Sequence, residues 1–176
     1  MRLSRGFSAS RSTAIAISAT VIMAAASLLT STPARTAPIV HNCGVPISSI
    51  VRTEIGLFST QSTTFANVTG AAVAITVPAG TTRCVKVRFS GIMRCSETVN
   101  FDVCAILVVI PNLVTFDPAF LGIDYHDEDS NYAANSYEFV KRLDPGSYTI
   151  RVRAGVQNAA TKFDITAWTM DVEIDK

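Results

Sequence analysis

The segment Ser147-Tyr148-Thr149-Ile150-Arg151-Val152-Arg153-Ala154 alternates apolar and polar side chains from residue to residue. Successive side chains of a β-strand point to opposite faces of the sheet, so this period of two predicts a half-buried strand. Tyr148, Ile150 and Val152 are expected to face a core. The preceding Asp144-Pro145-Gly146 predicts a turn, because proline presets φ and glycine accepts a positive φ.

The same period recurs through much of the chain. It predicts strands over residues 72–77, 82–90, 99–110, 121–125 and 136–143, and a last strand from residue 163. The run 106–110 is apolar at every position, which predicts a central strand buried on both faces. The apolar phase of the last strand shifts by one residue near Ala167, as a β-bulge would produce. Residues 91–98 are expected to form a polar loop, and residues 50–58 fit a strand or one helical turn.

About eight short strands follow one another without an amphipathic helix between them. This pattern predicts an all-β domain, an antiparallel two-sheet sandwich of about eight strands and of jelly-roll type. The sandwich is expected to follow an N-terminal signal-peptide helix.

Residues 1–37 have the layout of a secretory signal peptide. Arg2, Arg5 and Arg11 precede an apolar run over residues 14–29, and small residues follow. The run is shorter than the roughly 20 apolar residues that a spanning helix needs, although an uncleaved membrane anchor stays an alternative. We expect a signal peptide over 1–37, a single β-sandwich domain over 38–176, and secretion to the extracellular space or periplasm.

The charge balance bears on the class of partner. All 14 acidic residues and 11 of the 15 basic residues follow residue 37, so the mature chain has a net charge of −3. Nucleic-acid binding requires clustered Lys and Arg to neutralise phosphates, so this balance argues against it.

The four cysteines all follow the leader. An even number of cysteines in an exported chain predicts disulfides, and no C-x-x-C spacing points to zinc or redox chemistry. We favour the pairs Cys95–Cys104 and Cys43–Cys84. Pairing of Cys84 with Cys104 across a hairpin is the main alternative.

Several stretches together resemble a group of bacterial secreted β-sandwich proteins of unknown function. They are Val77-Pro78-Ala79-Gly80-Thr81-Thr82-Arg83-Cys84-Val85-Lys86-Val87-Arg88-Phe89, the later Cys95 and Cys104, Pro145-Gly146-Ser147-Tyr148-Thr149-Ile150-Arg151-Val152 and Trp168-Thr169-Met170-Asp171-Val172-Glu173. The resemblance covers roughly residues 63–175. It implies the fold, and it implies no chemistry because turn and core positions carry it.

An acidic loop spans residues 124–138. Asp127, Asp129, Asn131 and Glu138 fall at positions 1, 3, 5 and 12 of an EF-hand-type calcium loop. Tyr132 occupies the position where the sharp turn needs glycine, and the flanking segments are expected to be strands. A solvated acidic loop is therefore the alternative to a calcium site.

Outward basic residues and loop aromatics are further ligand candidates. Lys86, Arg88, Arg151 and Arg153 would form a basic stripe for an anionic glycan or lipid headgroup if their two strands shared a sheet. The alternative is a solvated face that keeps sheet edges from pairing. Tyr125 and Tyr132 lie in or beside the acidic loop, where they could stack on a ligand.

The inventory of catalytic groups is small. The chain has two histidines, no Gly-x-Ser-x-Gly elbow and no His-x-x-x-His pair. We therefore expect a non-catalytic protein with a binding or structural role, monomeric or homo-oligomeric, without a cofactor unless calcium binds. The alternatives are a calcium-dependent glycan or ligand binder and a small hydrolase that uses carboxylates such as Asp124 and Glu138.

Overall fold

The structure is a computed structural model that describes residues 40–96, 103–124 and 131–176. The signal peptide predicted over residues 1–37 lies outside the described residues. Within the described ranges, no helix is long and apolar enough to cross a membrane.

Ten strands and one short 3₁₀ turn make up the described fold. In chain order the strands are β1 (Pro46–Glu54), β2 (Phe58–Thr60), β3 (Ala66–Val77), β4 (Arg83–Ser96), β5 (Val103–Ile110), β6 (Val114–Thr115), β7 (Leu121–Asp124), β8 (Ala133–Leu143), β9 (Gly146–Val156) and β10 (Lys162–Asp175). The 3₁₀ turn covers Pro111–Leu113. Of residues 50–58, which fitted a strand or a helical turn, residues 50–54 end β1, residues 55–57 connect the two strands, and Phe58 begins β2.

The strands form two antiparallel sheets. Sheet A has the order β1-β10-β4-β8, with β2 also paired to β10, and sheet B has the order β3-β9-β5-β6, with β7 also paired to β5. Apart from the short β2 and β6, each sheet holds four strands whose order is that of a jelly roll. The predicted jelly-roll sandwich is confirmed, and the two short strands raise the strand count from eight to ten.

The hydrophobic core lies between the sheets and follows the predicted alternation. Val85, Val87 and Phe89 of β4 are buried, as are Ile150 and Val152 of β9. The outward residues Lys86 and Arg88 of β4 and Thr149, Arg151 and Arg153 of β9 remain at least partly accessible to solvent. Burial of apolar surface therefore stabilises both strands on one face only, as the period of two requires.

The predicted β-bulge in the last strand is confirmed at Ala167. The pairing of β10 with β4 shifts between Thr166 and Thr169, and Ala167 has a positive φ of 48°. The extra residue reverses the facing pattern, so Ile165 before the bulge and Trp168 after it are both buried. The ring centroid of Trp168 lies 5.7 Å from that of Phe89 in the core.

Strand β4 is longer than the sequence pattern predicts. The prediction ended it at residue 90 and placed residues 91–98 in a loop, whereas β4 continues to Ser96. Its second half pairs on both sides, with β10 as far as Ser96 and with β8 as far as Met93. Pairing with β10 keeps the polar residues Arg94 and Ser96 in the strand beyond the end of β8, because the ladder provides partners for their backbone groups on that side.

Strand β5 is buried on both faces, as predicted for the run 106–110. Ile106 and Val108 lie in the core between the sheets. Leu107 and Val109 face the outside of sheet B and are nevertheless buried. The strand is central because β9 pairs along one side of it and β6 and β7 along the other.

The structure forms the two favoured disulfides. Cys43 pairs with Cys84 and ties the N-terminal segment to β4, and Cys95 pairs with Cys104 and joins the two sheets. Their Cα–Cα separations are 5.4 Å and 5.8 Å. The alternative Cys84–Cys104 pair required a β4–β5 hairpin, which does not form because these strands lie in opposite sheets.

Candidate functional site

The four outward basic residues do not form one stripe. Lys86 and Arg88 lie on β4 in sheet A, whereas Arg151 and Arg153 lie on β9 in sheet B. Outward side chains of the two layers point in opposite directions, so the condition for a shared basic surface is not met. The two pairs form separate surfaces.

The basic residues of sheet A are neutralised by acidic neighbours. Lys86 Nζ lies 2.7 Å from Asp175 Oδ2 and 3.9 Å from Glu173 Oε2, and Arg88 Nη2 lies 3.2 Å from Glu138 Oε2. The hydrogen bond to Asp175 raises the pKa of the Lys86 ammonium, which keeps it charged and paired. Lys86 and Arg88 therefore offer little unpaired positive charge to an anion.

The outer face of sheet B has a different charge pattern. Asp124 is the single acidic residue in the strands described for this sheet, and the outer side of β9 carries Arg151 and Arg153. Arg153 donates a hydrogen bond through Nη2 to the carbonyl oxygen of Phe65. Half-buried Arg151 makes no hydrogen bond or ion pair with any described residue. It is therefore the available cation of this face.

The pairing register explains how Arg151 is held. Its Cα is opposite that of Ala72 on β3 and that of Val109 on β5. Arginine commonly lays its aliphatic stem on apolar neighbours and keeps its guanidinium in water. The small side chain of Ala72 and the buried Val109 provide such a base, so the guanidinium can reach a ligand above the sheet.

A shallow depression of about 360 Å³ lies on the outer face of sheet B, and its lining ends at Thr149, two residues before Arg151 on β9. Residues 74–76 of β3, residues 147–149 of β9 and Pro111 line it. Thr76, Ser147 and Thr149 point outward and supply hydroxyl groups. Thr149 precedes Arg151 by two residues, so both side chains lie on the same face. We call this group, together with Arg151, the sheet B depression.

Sequence reasoning proposed Arg151 and missed the rest of the sheet B depression. The alternation of residues 147–154 places Thr149 on the outward face of its strand, but Ala74, Thr76 and Pro111 carry no signal of their own. They join the site because β3 pairs with β9 and because β5 ends beside that pair. Finding the complete site would have required the knowledge that segments 72–77 and 147–151 pair with each other. The local alternation of residues does not show which strands are neighbours.

Much of the acidic loop lies outside the described residues, including Tyr125, Asp127 and Asp129. Of the remaining calcium candidates, Asn131 is exposed and Glu138 lies on β8. The Glu138 carboxylate faces Arg88 on the outer side of sheet A. Calcium binding by this loop stays a prediction, and Glu138 would have to leave Arg88 to take part.

The two carboxylate positions suggested for hydrolysis belong to different sheets. Asp124 ends β7 in sheet B, and Glu138 lies on β8 in sheet A, where it pairs with Arg88. Hydrolysis by this pair would require both groups to flank one bond. The placement of the two strands therefore gives that hypothesis no support.

Tyr132 packs on a charged cluster at the end of sheet A. The guanidinium carbon of Arg94 lies 4.5 Å from the centroid of the Tyr132 ring. Arg94 Nη2 also lies 2.5 Å from Oδ2 of the fully buried Asp164, and Lys162 Nζ lies 3.1 Å from Oδ1. Burial raises the pKa of Asp164, but hydrogen bonds from Ser59, Arg94 and Lys162 outweigh it and lower the pKa overall.

A group of metal-ligating residue types also occurs in the described part of the chain. Sγ of Cys43, Sγ of Cys84 and a carboxylate oxygen of Asp175 lie within 4.8 Å of one another. The two sulfurs form a disulfide, and Lys86 pairs with Asp175. Thiolates rather than disulfide sulfurs bind metals, so this group is structural in the oxidised protein.

Comparison with known proteins adds the following similarities. No protein-family model matches the sequence, and no curated protein matches it. The resemblance to bacterial secreted proteins therefore stays a prediction.

Among solved structures, the chain is similar to a carbohydrate-binding module of Cellvibrio mixtus lichenase 5A in complex with cellotriose. The identity is 10%, the TM-score is 0.33, and the match covers 76% of this chain and 91% of that one. The C-terminal CBM6 of LamC, a laminarinase from Zobellia galactanivorans, gives 9% identity, a TM-score of 0.31 and coverage of 70% and 98%. For the VP2 subviral particle of infectious bursal disease virus, the identity is 10% and the TM-score is 0.36. The match covers 79% of this chain and 38% of that one.

Proposed function

We propose that this protein is a secreted binding protein that holds an anionic polysaccharide in the sheet B depression. The observation that carries the proposal is Arg151, a half-buried guanidinium without a partner among the described residues. It stands beside a row of hydroxyl groups on a face whose strands carry little acidic charge. The two disulfides support an oxidising, extracellular setting.

The chemistry of Arg151 favours a carboxylate or sulfate ester. A guanidinium presents N–H donors in a planar fork and binds such groups through two parallel, charge-assisted hydrogen bonds. Ala72 and Val109 flank Arg151 on the neighbouring strands. Packing of the arginine stem on these residues would reduce the side-chain entropy lost on binding. Among the described residues, no acidic side chain forms an ion pair with Arg151 that a bound anion would have to displace.

The remaining lining favours a sugar over a lipid. Thr76, Ser147 and Thr149 supply hydroxyl groups that both donate and accept, which matches the hydroxyl groups of a sugar ring. The volume of the depression suits a small ring system. Leu107 and Val109, the outward apolar residues of β5, are buried, so neither protrudes to insert into a bilayer.

The test compares each anionic polysaccharide with its neutral counterpart. Polygalacturonate would be titrated beside its fully methyl-esterified form, and dextran sulfate beside dextran, by isothermal titration calorimetry at low salt. We expect binding of at least one anionic member and none of its neutral counterpart. Because hydrogen bonds to charged groups contribute about 1.5–3 kcal/mol, Arg151→Gln should weaken binding by roughly tenfold to a hundredfold.

The matched control is Arg88→Gln. It removes the same charge from the opposite face, where Arg88 pairs with Glu138, and it should leave binding within about twofold of the wild type. Equal losses in both variants would show attraction by net charge rather than a site. Absence of binding to both anionic polymers, or unchanged affinity in Arg151→Gln, would refute the proposal.

A further inference from the structure

Strand β1 lies at the edge of sheet A and exposes apolar side chains. It pairs with β10 on one side, and no described strand pairs with its other side. Large apolar side chains in and beside β1 are exposed, with 54% of Ile47, 58% of Val51, 85% of Ile55 and 62% of Leu57 accessible to solvent. Free edges that carry apolar side chains readily pair with another chain.

The other described edges each carry a feature that discourages pairing. Asp117 forms an isolated bridge with Val140 along β8. The pairing of β3 with β9 shifts between Asn67 and Ala72, around Gly70 with its positive φ of 76°. On the remaining edge, β6 has two residues and β7 has four. Short strands and bulges are common protections of edges. In β1 the register shifts between Pro46 and Ser48, but residues 48–54 then pair with β10 without interruption. This regular stretch is longer than β6 or β7 and contains no bulge.

We infer that β1 pairs antiparallel with β1 of a second copy of this chain, about a two-fold axis at Val51. The two copies of sheet A then form one continuous sheet. The symmetry is isologous, so each contact away from the axis occurs twice and the assembly closes as a dimer. The interface lies on sheet A and does not depend on ligand binding in the sheet B depression.

The argument for a second copy is the self-complementarity of this register. Val51 faces Val51 of the second copy, and Ser49 faces Thr53. At each end of the paired strands, the exposed Ile47 of one copy comes close to the exposed Ile55, which directly follows β1 of the second copy. Contact between them and between the two Val51 side chains removes apolar surface from water in both copies.

The charged residues of β1 also permit this register. Arg52 comes opposite Ile50 of the second copy, and Glu54 opposite Ser48, so no like charges are placed face to face. Arg52 already donates a hydrogen bond to the carbonyl oxygen of Gly70, and Glu54 accepts hydrogen bonds from the backbone of Ile55 and Gly56. Neither charge has to be desolvated without a partner.

The test uses charge pairing at the symmetry axis. Sedimentation velocity of the purified, oxidised protein should give twice the chain mass at micromolar concentrations. Val51→Glu alone and Val51→Lys alone should each sediment as one chain, because the axis places like charges opposite each other. An equimolar mixture of the two variants should recover the mass of two chains, because Glu and Lys then face each other across the axis.

Ile92→Glu is the control, since Ile92 is an exposed apolar residue of the same sheet that lies on the central strand β4. It should leave the dimer intact, and circular dichroism should show that all variants remain folded. A wild-type protein that sediments as one chain, a Val51→Glu protein that stays dimeric, or a mixture that stays at one chain mass would each overturn the inference.

Discussion

Asp164 lies at the centre of the charged cluster that it forms with Arg94 and Lys162, on which Tyr132 packs. The substitution Asp164→Asn removes its charge and keeps the shape of the side chain. Asp164 is fully buried, with Arg94 Nη2 at 2.5 Å and Lys162 Nζ at 3.1 Å from its two oxygens. Each hydrogen bond to a charged group contributes about 1.5–3 kcal/mol. Arg94 and Lys162 are partly exposed and can be hydrated again when the charge of Asp164 is removed. The expected loss in free energy of unfolding is therefore about 2–3 kcal/mol, which is less than the sum of the two hydrogen-bond contributions.

The size of this loss should depend on pH in a defined direction. The folded state holds the pKa of Asp164 below its ordinary value of 3.8. A lowered carboxyl pKa stabilises the folded protein above the unfolded pKa, and that stabilisation disappears as pH falls through the folded pKa. The wild type therefore loses the contribution in acid, and the variant has no carboxyl group there to protonate. The difference in free energy of unfolding between the wild type and Asp164→Asn should therefore become smaller below about pH 4.

Urea unfolding of the oxidised protein at pH 7 and pH 3 measures both quantities by linear extrapolation. The control is Glu138→Gln, which breaks the exposed pair with Arg88 and should cost less than about 1 kcal/mol. A loss below about 0.5 kcal/mol for Asp164→Asn at pH 7 would refute the reasoning, and so would a gap that stays constant or widens at pH 3.

Three other predictions follow from named features. Ala167→Gly should raise the free energy of unfolding by roughly 0.5–1 kcal/mol, because glycine accepts the φ of 48° without a Cβ penalty; a lower melting temperature would contradict this. Replacing Cys43 and Cys84 together by Ser should cost about 4 kcal/mol in urea unfolding, since the disulfide closes a loop with a sequence separation of 41; no measurable loss would contradict a structural role. Millimolar calcium should leave the melting temperature within about 2 °C of its value in chelator, because Glu138 is engaged with Arg88; a larger rise would support the calcium loop.

The candidate site was only partly predictable from the sequence. Arg151 was identifiable because it alternates with Ile150 and Val152, and this alternation assigns it to the outward face. The same reasoning grouped it with Lys86 and Arg88, which the structure places on the opposite sheet. A local period tells on which side of its own strand a residue lies, but it does not tell in which sheet that strand lies.

The sequence by itself determined the elements. Turn residues such as Pro145 and Gly146 and the alternation of residues 147–154 define strands and their buried faces, because these preferences act over a few neighbouring residues. The phase shift at Ala167 marked a bulge for the same reason. Even where the pattern failed, at residues 91–96, the cause was tertiary, since pairing with β8 and β10 extended β4 through polar residues.

Only the tertiary structure decided which strands are neighbours. Residues 72–76 lie beside residues 147–151 because β3 and β9 pair across about 70 residues of chain, and this pairing creates the sheet B depression. The tertiary structure likewise left β1 at the edge and placed Glu138 against Arg88. These contacts depend on packing the whole set of apolar faces into one core, a condition that no short segment encodes.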